Sequence, residues 1–150
     1  MILPAGGDAA KGEEIIHASC VAVNGAGLLI IGPSGSGKSA MALKLMALGA
    51  SLVADDRTIV ENNKGRVIAS CPTTLSGLIE ARGIGILPVQ AVTTSVEICL
   101  VLDLNQTETR RMPPIRTTRI VDVDIKTITH IEADHLPAAL LCYLKGLNPA

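Results

Sequence analysis

Eight consecutive residues, Gly32–Ser39 with the sequence GPSGSGKS, restrict this chain more than any other feature. They match GxxxxGK[ST] at every defined position, after the wholly apolar stretch Leu28–Ile31 and before a helix-forming stretch, Lys38–Leu48. The glycines permit positive φ and leave room for backbone N–H groups to surround phosphate oxygens. The start of the helix adds partial positive charge at the same place. In such a cradle Gly32, Pro33, Ser34, Gly35, Ser36 and Gly37 supply backbone. Lys38 neutralises the β- and γ-phosphates, and Ser39 offers its hydroxyl to Mg²⁺. The loop leaves the reaction open, because ATPases, GTPases and many kinases share it.

The rest of the chain narrows the setting. At 150 residues it has the length of one domain and can bury a sizeable core without staples. Trp and Phe are absent and Tyr143 is the single aromatic residue, so the core must be aliphatic. Stacking platforms for single-stranded nucleic acid are therefore missing. Thirteen basic and 14 acidic residues give a net charge of −1, which argues against nucleic-acid partners and a polybasic membrane patch. No apolar run approaches the roughly 20 residues of a membrane span. Residues 1–14 lack the basic and apolar regions of a signal peptide and read as a flexible leader before a domain at 15–150. Cys20, Cys71, Cys99 and Cys142 lie far apart in apolar stretches without CxxC spacing, which predicts buried free thiols in a reducing cytoplasm.

The pattern along the chain predicts an α/β fold with a mixed sheet and few helices. Ile15–Val23 reads as one strand, and Leu28–Ile31 as a central strand buried on both faces. Lys38–Leu48 reads as a largely buried helix stopped by Gly49. Ser51–Ala54 is a strand, and Thr58–Val60 and Arg66–Ala69 flank a hairpin turn at Asn62–Gly65. Leu75–Ile79 is a short helix or a turn. Ile84–Val89 lies between glycines, Val96–Leu104 is a strand, Ile120–Ile131 holds one or two strands, and His135–Leu147 is a helix.

Several residues carry candidate chemistry. Asp55 and Asp56 close a strand after the phosphate loop, where a carboxylate can hold Mg²⁺ or accept a proton. Neighbours on a strand point to opposite faces, so one of the two is expected to face the γ-phosphate. Glu80 and Arg82 precede Gly83 and Gly85, either as a loop that approaches a ligand or as a surface pair. His17 on its strand has an ordinary structural explanation from the residues alone, and Arg110, Arg111, Arg116 and Arg119 read as a solvated loop or, beside a phosphate loop, as a cluster that holds a transferred phosphoryl group.

Residues 16–60, from IHASC through the phosphate loop to LVADDRTIV, resemble the core of HPr kinase/phosphorylase. His17 precedes the loop at the family's spacing, Leu52–Asp56 matches its strand with an Asp pair, and Glu80–Ile86 (EARGIGI) matches a second signature. The resemblance covers roughly residues 15–112. It implies a P-loop kinase domain similar to the nucleotide-binding core of phosphoenolpyruvate carboxykinase. It implies ATP-dependent phosphorylation of a serine on an HPr-type phosphocarrier of a phosphotransferase system, with reversal by inorganic phosphate. By position, Asp55 resembles the residue that takes the serine proton, and Lys38 the catalytic lysine. Ser39 and Glu80 resemble Mg²⁺ ligands, with Asp56 beside them; His17 resembles the active-site histidine and Arg111 a catalytic arginine. A hexamer is the family's common assembly. The chain resembles truncated members that consist of the C-terminal catalytic domain. The family's longer loop after Val89 is missing, and its later Pro-Val-x-x-Gly-Arg segment has no counterpart at Asp122–Ala133, so the kinase direction is favoured. The competing readings are a nucleotide-binding regulatory module and a small-molecule kinase.

Overall fold

The structure is a computed structural model that describes residues 12–92 and 94–147. Eleven strands and two α-helices follow one another among these residues. The first three strands are β1 (Glu13–Ile16), β2 (Ala18–Val23) and β3 (Ala26–Ile31), followed by α1 (Lys38–Ala47). Then come β4 (Ser51–Ala54), β5 (Thr58–Asn63), β6 (Arg66–Ser70), β7 (Leu78–Ala81), β8 (Gly85–Pro88) and the long β9 (Val96–Thr107). The chain continues through β10 (Arg116–Ile120), β11 (Val123–His130) and α2 (Leu136–Leu147).

Nine strands form one mixed sheet, with the path β1-β5-β6-β9-β3-β2-β4 and the pair β10–β11 attached to β9 through β11. β3 is central, as its two-faced apolarity predicts, and runs parallel to β9. β11 is also parallel to β9. The C-terminal ends of these strands therefore share one edge of the sheet, and the phosphate loop leaves from that edge. β7 and β8 form a separate hairpin.

Two aliphatic clusters sandwich the sheet. On one face, Leu28 and Ile30 of β3 and Leu100 and Leu102 of β9 meet Met41, Ala42 and Leu45 of α1. Leu136, Leu140, Leu141 and Leu144 of α2 join the same cluster, spaced to lie on one side of a helix. The other face gathers Cys20, Leu29, Val60, Val67, Ile98 and Val101. An extra residue, Cys99, stands in β9 where Gly27 pairs with Ile98 and Leu28 with Leu100. That bulge reverses the facing of the strand, so Ile98 and Leu100 serve opposite clusters although two positions apart.

Several expectations change here. The predicted strand Ile15–Val23 is two strands, bent at His17. β1 pairs with β5, whereas β2 pairs with β3 and β4. The chain bends again at Asp55–Arg57, between β4 and β5, so the two breaks fall on one fold line of the curled sheet. Of the predicted leader, residues 1–11 lie outside the described residues, and Glu13 and Glu14 belong to β1. The expected short helix or turn at Leu75–Ile79 lies earlier, as a 3-10 helix at Thr73–Leu75 and a turn at Ser76–Gly77, and Leu78 and Ile79 belong to β7, where Ile79 and Ala81 alternate inward as strand residues. α1 is one-sided, with Ala40, Lys44 and Ala47 exposed. Its end is as expected: Gly49 at φ 116° caps it, and the Gly49 and Ala50 N–H groups bond back to Met46 and Leu45. The cysteines are free, but only Cys20 is buried and Cys142 is exposed.

Candidate active site

Backbone geometry builds the site first. Gly37 caps α1 with φ 101°, a left-handed conformation that a side chain would strain. No side chain caps the helix, so its first N–H groups are free for a phosphate. A Cβ on Gly32 would come within 2.6 Å of Ser36 Oγ, so the loop closes this tightly only with glycine there. Lys38 is buried, and its Nζ donates to the carbonyls of Gly32 at 3.0 Å and Pro33 at 3.1 Å. Two of the three ammonium protons are thus committed to the loop. The third remains for an anion.

The acid end of β4 is equally well tied. Asp55 is 9% exposed, a position that penalises a carboxylate unless donors surround it. Three do. Its Oδ1 accepts from Ser19 Oγ at 2.8 Å and Ser39 Oγ at 2.6 Å, and its Oδ2 accepts from the Glu80 N–H at 3.0 Å. A carboxylate offers about four lone-pair sites. The free one belongs to Oδ2, and Asp55 borders an open cavity of about 620 Å³.

Asp56 differs from its expected placement. Its φ of 67° takes it out of extended geometry, and the Arg57 N–H closes back onto the Asp55 carbonyl at 2.7 Å. Asp tolerates this left-handed conformation. The turn brings both acids to the cleft wall, where strand alternation predicted one. The Asp56 carboxylate is paired with His17 Nε2. His17 stands at the bend between β1 and β2, so the histidine reaches the cleft by way of the fold line.

The cavity therefore unites His17, Lys38, Ser39, Asp55, Asp56 and Glu80 with loop residues Ser34, Gly35 and Gly37. The hairpin adds Ala81, Arg82 and Ile84, and α1 adds Ala40 and Leu43. Gly32, Pro33 and Ser36 do not line the cavity, and the Gly32 and Pro33 carbonyls hold Lys38. Arg111 is not brought to the cleft wall. It is exposed in the segment after β9, at the same sheet edge as the phosphate loop. Of the wider basic cluster, Arg116 is tied to Glu108 at 2.8 Å and Arg119 to Asp124 at 3.1 Å. The Arg116 hydrogen bond holds the Glu108 carboxyl below the usual range, helped by the Arg110 N–H. Burial, and then the Asp55 charge, push the nearby Cys71 thiol up.

Sequence reasoning missed Ser19, which is fully buried and bonded to Asp55. Its signal was a hydroxyl in the apolar run ASCVAV, where a buried polar group needs a partner. Arg82, singled out with Glu80 before the two glycines, lines the cleft, whereas Leu43 and Ile84 carried no signal that marked them as cleft residues.

A family model, the HPr serine kinase C-terminal domain, matches residues 9–134. The chain belongs to this family. A curated HPr kinase/phosphorylase of Lactobacillus johnsonii is 38% identical to this domain over 129 residues, which cover 78% of this chain and 40% of that relative. Another, from Clostridium tetani, is 44% identical over 80 residues, covering 53% of this chain and 26% of the relative. The chain thus spans between a quarter and two-fifths of these curated relatives. Among solved structures, the Hpr(Ser) kinase/phosphatase from Coxiella burnetii superposes with a TM-score of 0.73 at 26% identity. That likeness covers 89% of this chain and 95% of the other. The mixed α/β fold of an HPr kinase C-terminal domain is therefore the fold of this chain. Among the described residues no helix is long and apolar enough to cross a membrane.

Proposed function

We propose that this domain transfers the γ-phosphoryl group of ATP to a serine of an HPr-type phosphocarrier protein. One observation carries the reading. A buried carboxylate, Asp55, keeps one lone pair without a donor among the described residues and borders the cleft lined by Ser34, Gly35, Gly37, Lys38 and Ser39 of the phosphate loop, and the domain belongs to the HPr serine kinase family. ATP phosphates would rest on Gly32–Ser39, with the third Lys38 proton on a phosphate oxygen. The acceptor hydroxyl would enter beside Asp55, which takes its proton as the phosphoryl group moves. Most of the acceleration comes from placing these groups and from stabilising charge on the transferred group. Lys38 is the buried cation for that purpose, and Arg82 is a second cation on the cleft wall.

The residues also suit Mg²⁺. Among the described residues no cluster of three or more His, Cys, Asp or Glu forms a closed metal cage. Mg²⁺ seldom needs one, since it prefers one or two protein oxygens plus phosphates and water. Ser39 donates its proton to Asp55, which leaves its oxygen lone pairs for a cation, and Glu80 is an exposed residue of the same cleft lining. These two residues would hold the ion, which when bound neutralises phosphate charge. Asp56 is better read as the partner of His17 than as a metal ligand.

The test mixes the protein with ATP, Mg²⁺ and an HPr-type carrier, then reads intact mass and the modified residue. One added phosphate on serine, lost in Lys38→Ala, is the expected result. ATP binding without any phosphoprotein would overturn the kinase reading and favour a regulatory nucleotide-binding module.

A further inference from the structure

Ser19 lies in β2, where every residue is buried, and is itself 0% exposed. Its Oγ makes two hydrogen bonds. It donates to Asp55 Oδ1 at 2.8 Å and accepts from the Asp56 N–H at 3.2 Å. One oxygen therefore grips the side chain of the first acid and the backbone of the second. The grip fixes two things at once. With Ser39 also donating to Oδ1, that oxygen has no lone pair left for a proton. Holding the Asp56 N–H also secures the left-handed turn that presents the Asp56 carboxylate to His17.

We propose that Ser19 is a positioning residue that makes Asp55 Oδ2 the oxygen receiving the acceptor proton. The inference rests on the kinase reading of this cleft. In the transfer, the acceptor serine oxygen forms a bond to the γ-phosphorus while the bond to the β,γ-bridging oxygen breaks. ADP leaves with that electron pair, and the serine proton passes to Asp55 Oδ2. Without Ser19, Oδ1 regains a lone pair and the carboxylate loses one of the three donors that set its rotation. The Asp56 N–H loses its acceptor in the same stroke. The phosphate loop, one of whose residues binds Asp55 independently through Ser39, keeps its own hydrogen bonds.

The experiment measures phosphotransfer to an HPr-type carrier and ATP affinity for the full chain and its variants. Losing one hydrogen bond to a charged group predicts that Ser19→Ala lowers kcat roughly 10-fold, with KM for ATP and ATP affinity unchanged. Ser19→Thr keeps the hydroxyl and should recover the rate. Ser19→Cys, of similar volume but a weak donor, should not. In an Asp55→Asn background, Ser19→Ala should cost nothing further, because there is no base left to orient. A wild-type kcat in Ser19→Ala and Ser19→Cys would overturn the inference. Equal losses in ATP affinity and kcat, or full additivity with Asp55→Asn, would overturn it too by marking a structural role. If Ser19→Ala does not fold, the Thr and Cys pair decides by the same criterion. Failure of the wild-type chain to phosphorylate the carrier would instead strike the kinase reading itself.

Discussion

The floor of the cleft and its outer lip are built on opposite plans. At the floor, Lys38, Asp55, Ser19 and Ser39 are closely hydrogen-bonded, and Lys38, Asp55 and Ser19 are buried. At the lip, the β7–β8 hairpin exposes Ile84 (78%) and Ile86 (60%). Singly exposed apolar residues are unremarkable, but Ile84 lines the cleft that holds the acids and Ile86 follows it in the same hairpin. The difference teaches where this domain is complete in itself. The phosphate half is preorganised, with Ser19, Lys38, Ser39 and Asp55 each hydrogen-bonded. On the proposed function, a protein acceptor would cover this apolar lip.

The sharpest way to break this contrast is at the floor. Asp55→Asn should lower phosphotransfer by roughly 10²–10⁴ while nucleotide affinity stays near wild type; full activity would remove Asp55 from the base role. Lys38→Ala comes next: losing a hydrogen bond between charged groups predicts a fall in ATP affinity of roughly 10- to 100-fold by titration calorimetry. An unchanged affinity would break the picture of a preorganised phosphate half. At the lip the expected effect is smaller and of another kind. Ile84→Asp with Ile86→Asp should raise KM for the carrier by roughly 10-fold, in line with the loss of an apolar interface contact, and leave ATP affinity alone. A rise in both would mean that floor and lip are not separable.

Two stability measurements sharpen the contrast further. Glu108 is held ionised by Arg116 at the base of the exposed segment after β9, so its folded pKa lies below its unfolded value. That contribution is present above the unfolded carboxyl pKa of about 4.3 and is lost as pH falls through the depressed folded value. Glu108→Gln should accordingly have a lower melting temperature than wild type at pH 7, and the gap should close in acid. Ser36→Ala is the smallest. Ser36 Oγ is buried with no hydrogen-bond partner among the described residues, so deleting it should leave stability unchanged or raise it by up to about 1 kcal/mol. A clear loss in the melting curve would reveal a partner for that hydroxyl.

Much of this was legible in the chain. GPSGSGKS between an apolar strand and a helix specifies its own geometry, because glycine torsions and helix polarity act over a few residues. Leu28–Ile31 announced a central strand by being apolar on both faces, and Gly49 announced the end of α1. His17, Asp55 and Glu80 were recognisable through the family pattern, and the cleft contains all three. Arg111 was the weakest match to that pattern, and it does not line the cleft. Ser19 was invisible as a site residue because its partner is 36 positions away. The swing of Asp56 into the cleft was equally hidden, since alternation describes extended chain and Asp56 is not extended.

By itself, the sequence determined the phosphate loop, the aliphatic core and the order of most elements, all of them consequences of local torsion preference and of periodicity. The tertiary structure alone decided the fold line at His17 and Asp55–Arg57. There β1 leaves the β2–β4 ladder to pair with β5, and the sheet curls. The physical reason is that a curled sheet must interrupt neighbouring strands at one level. Which side chains meet at that level is set by register between distant segments, not by any stretch of chain alone.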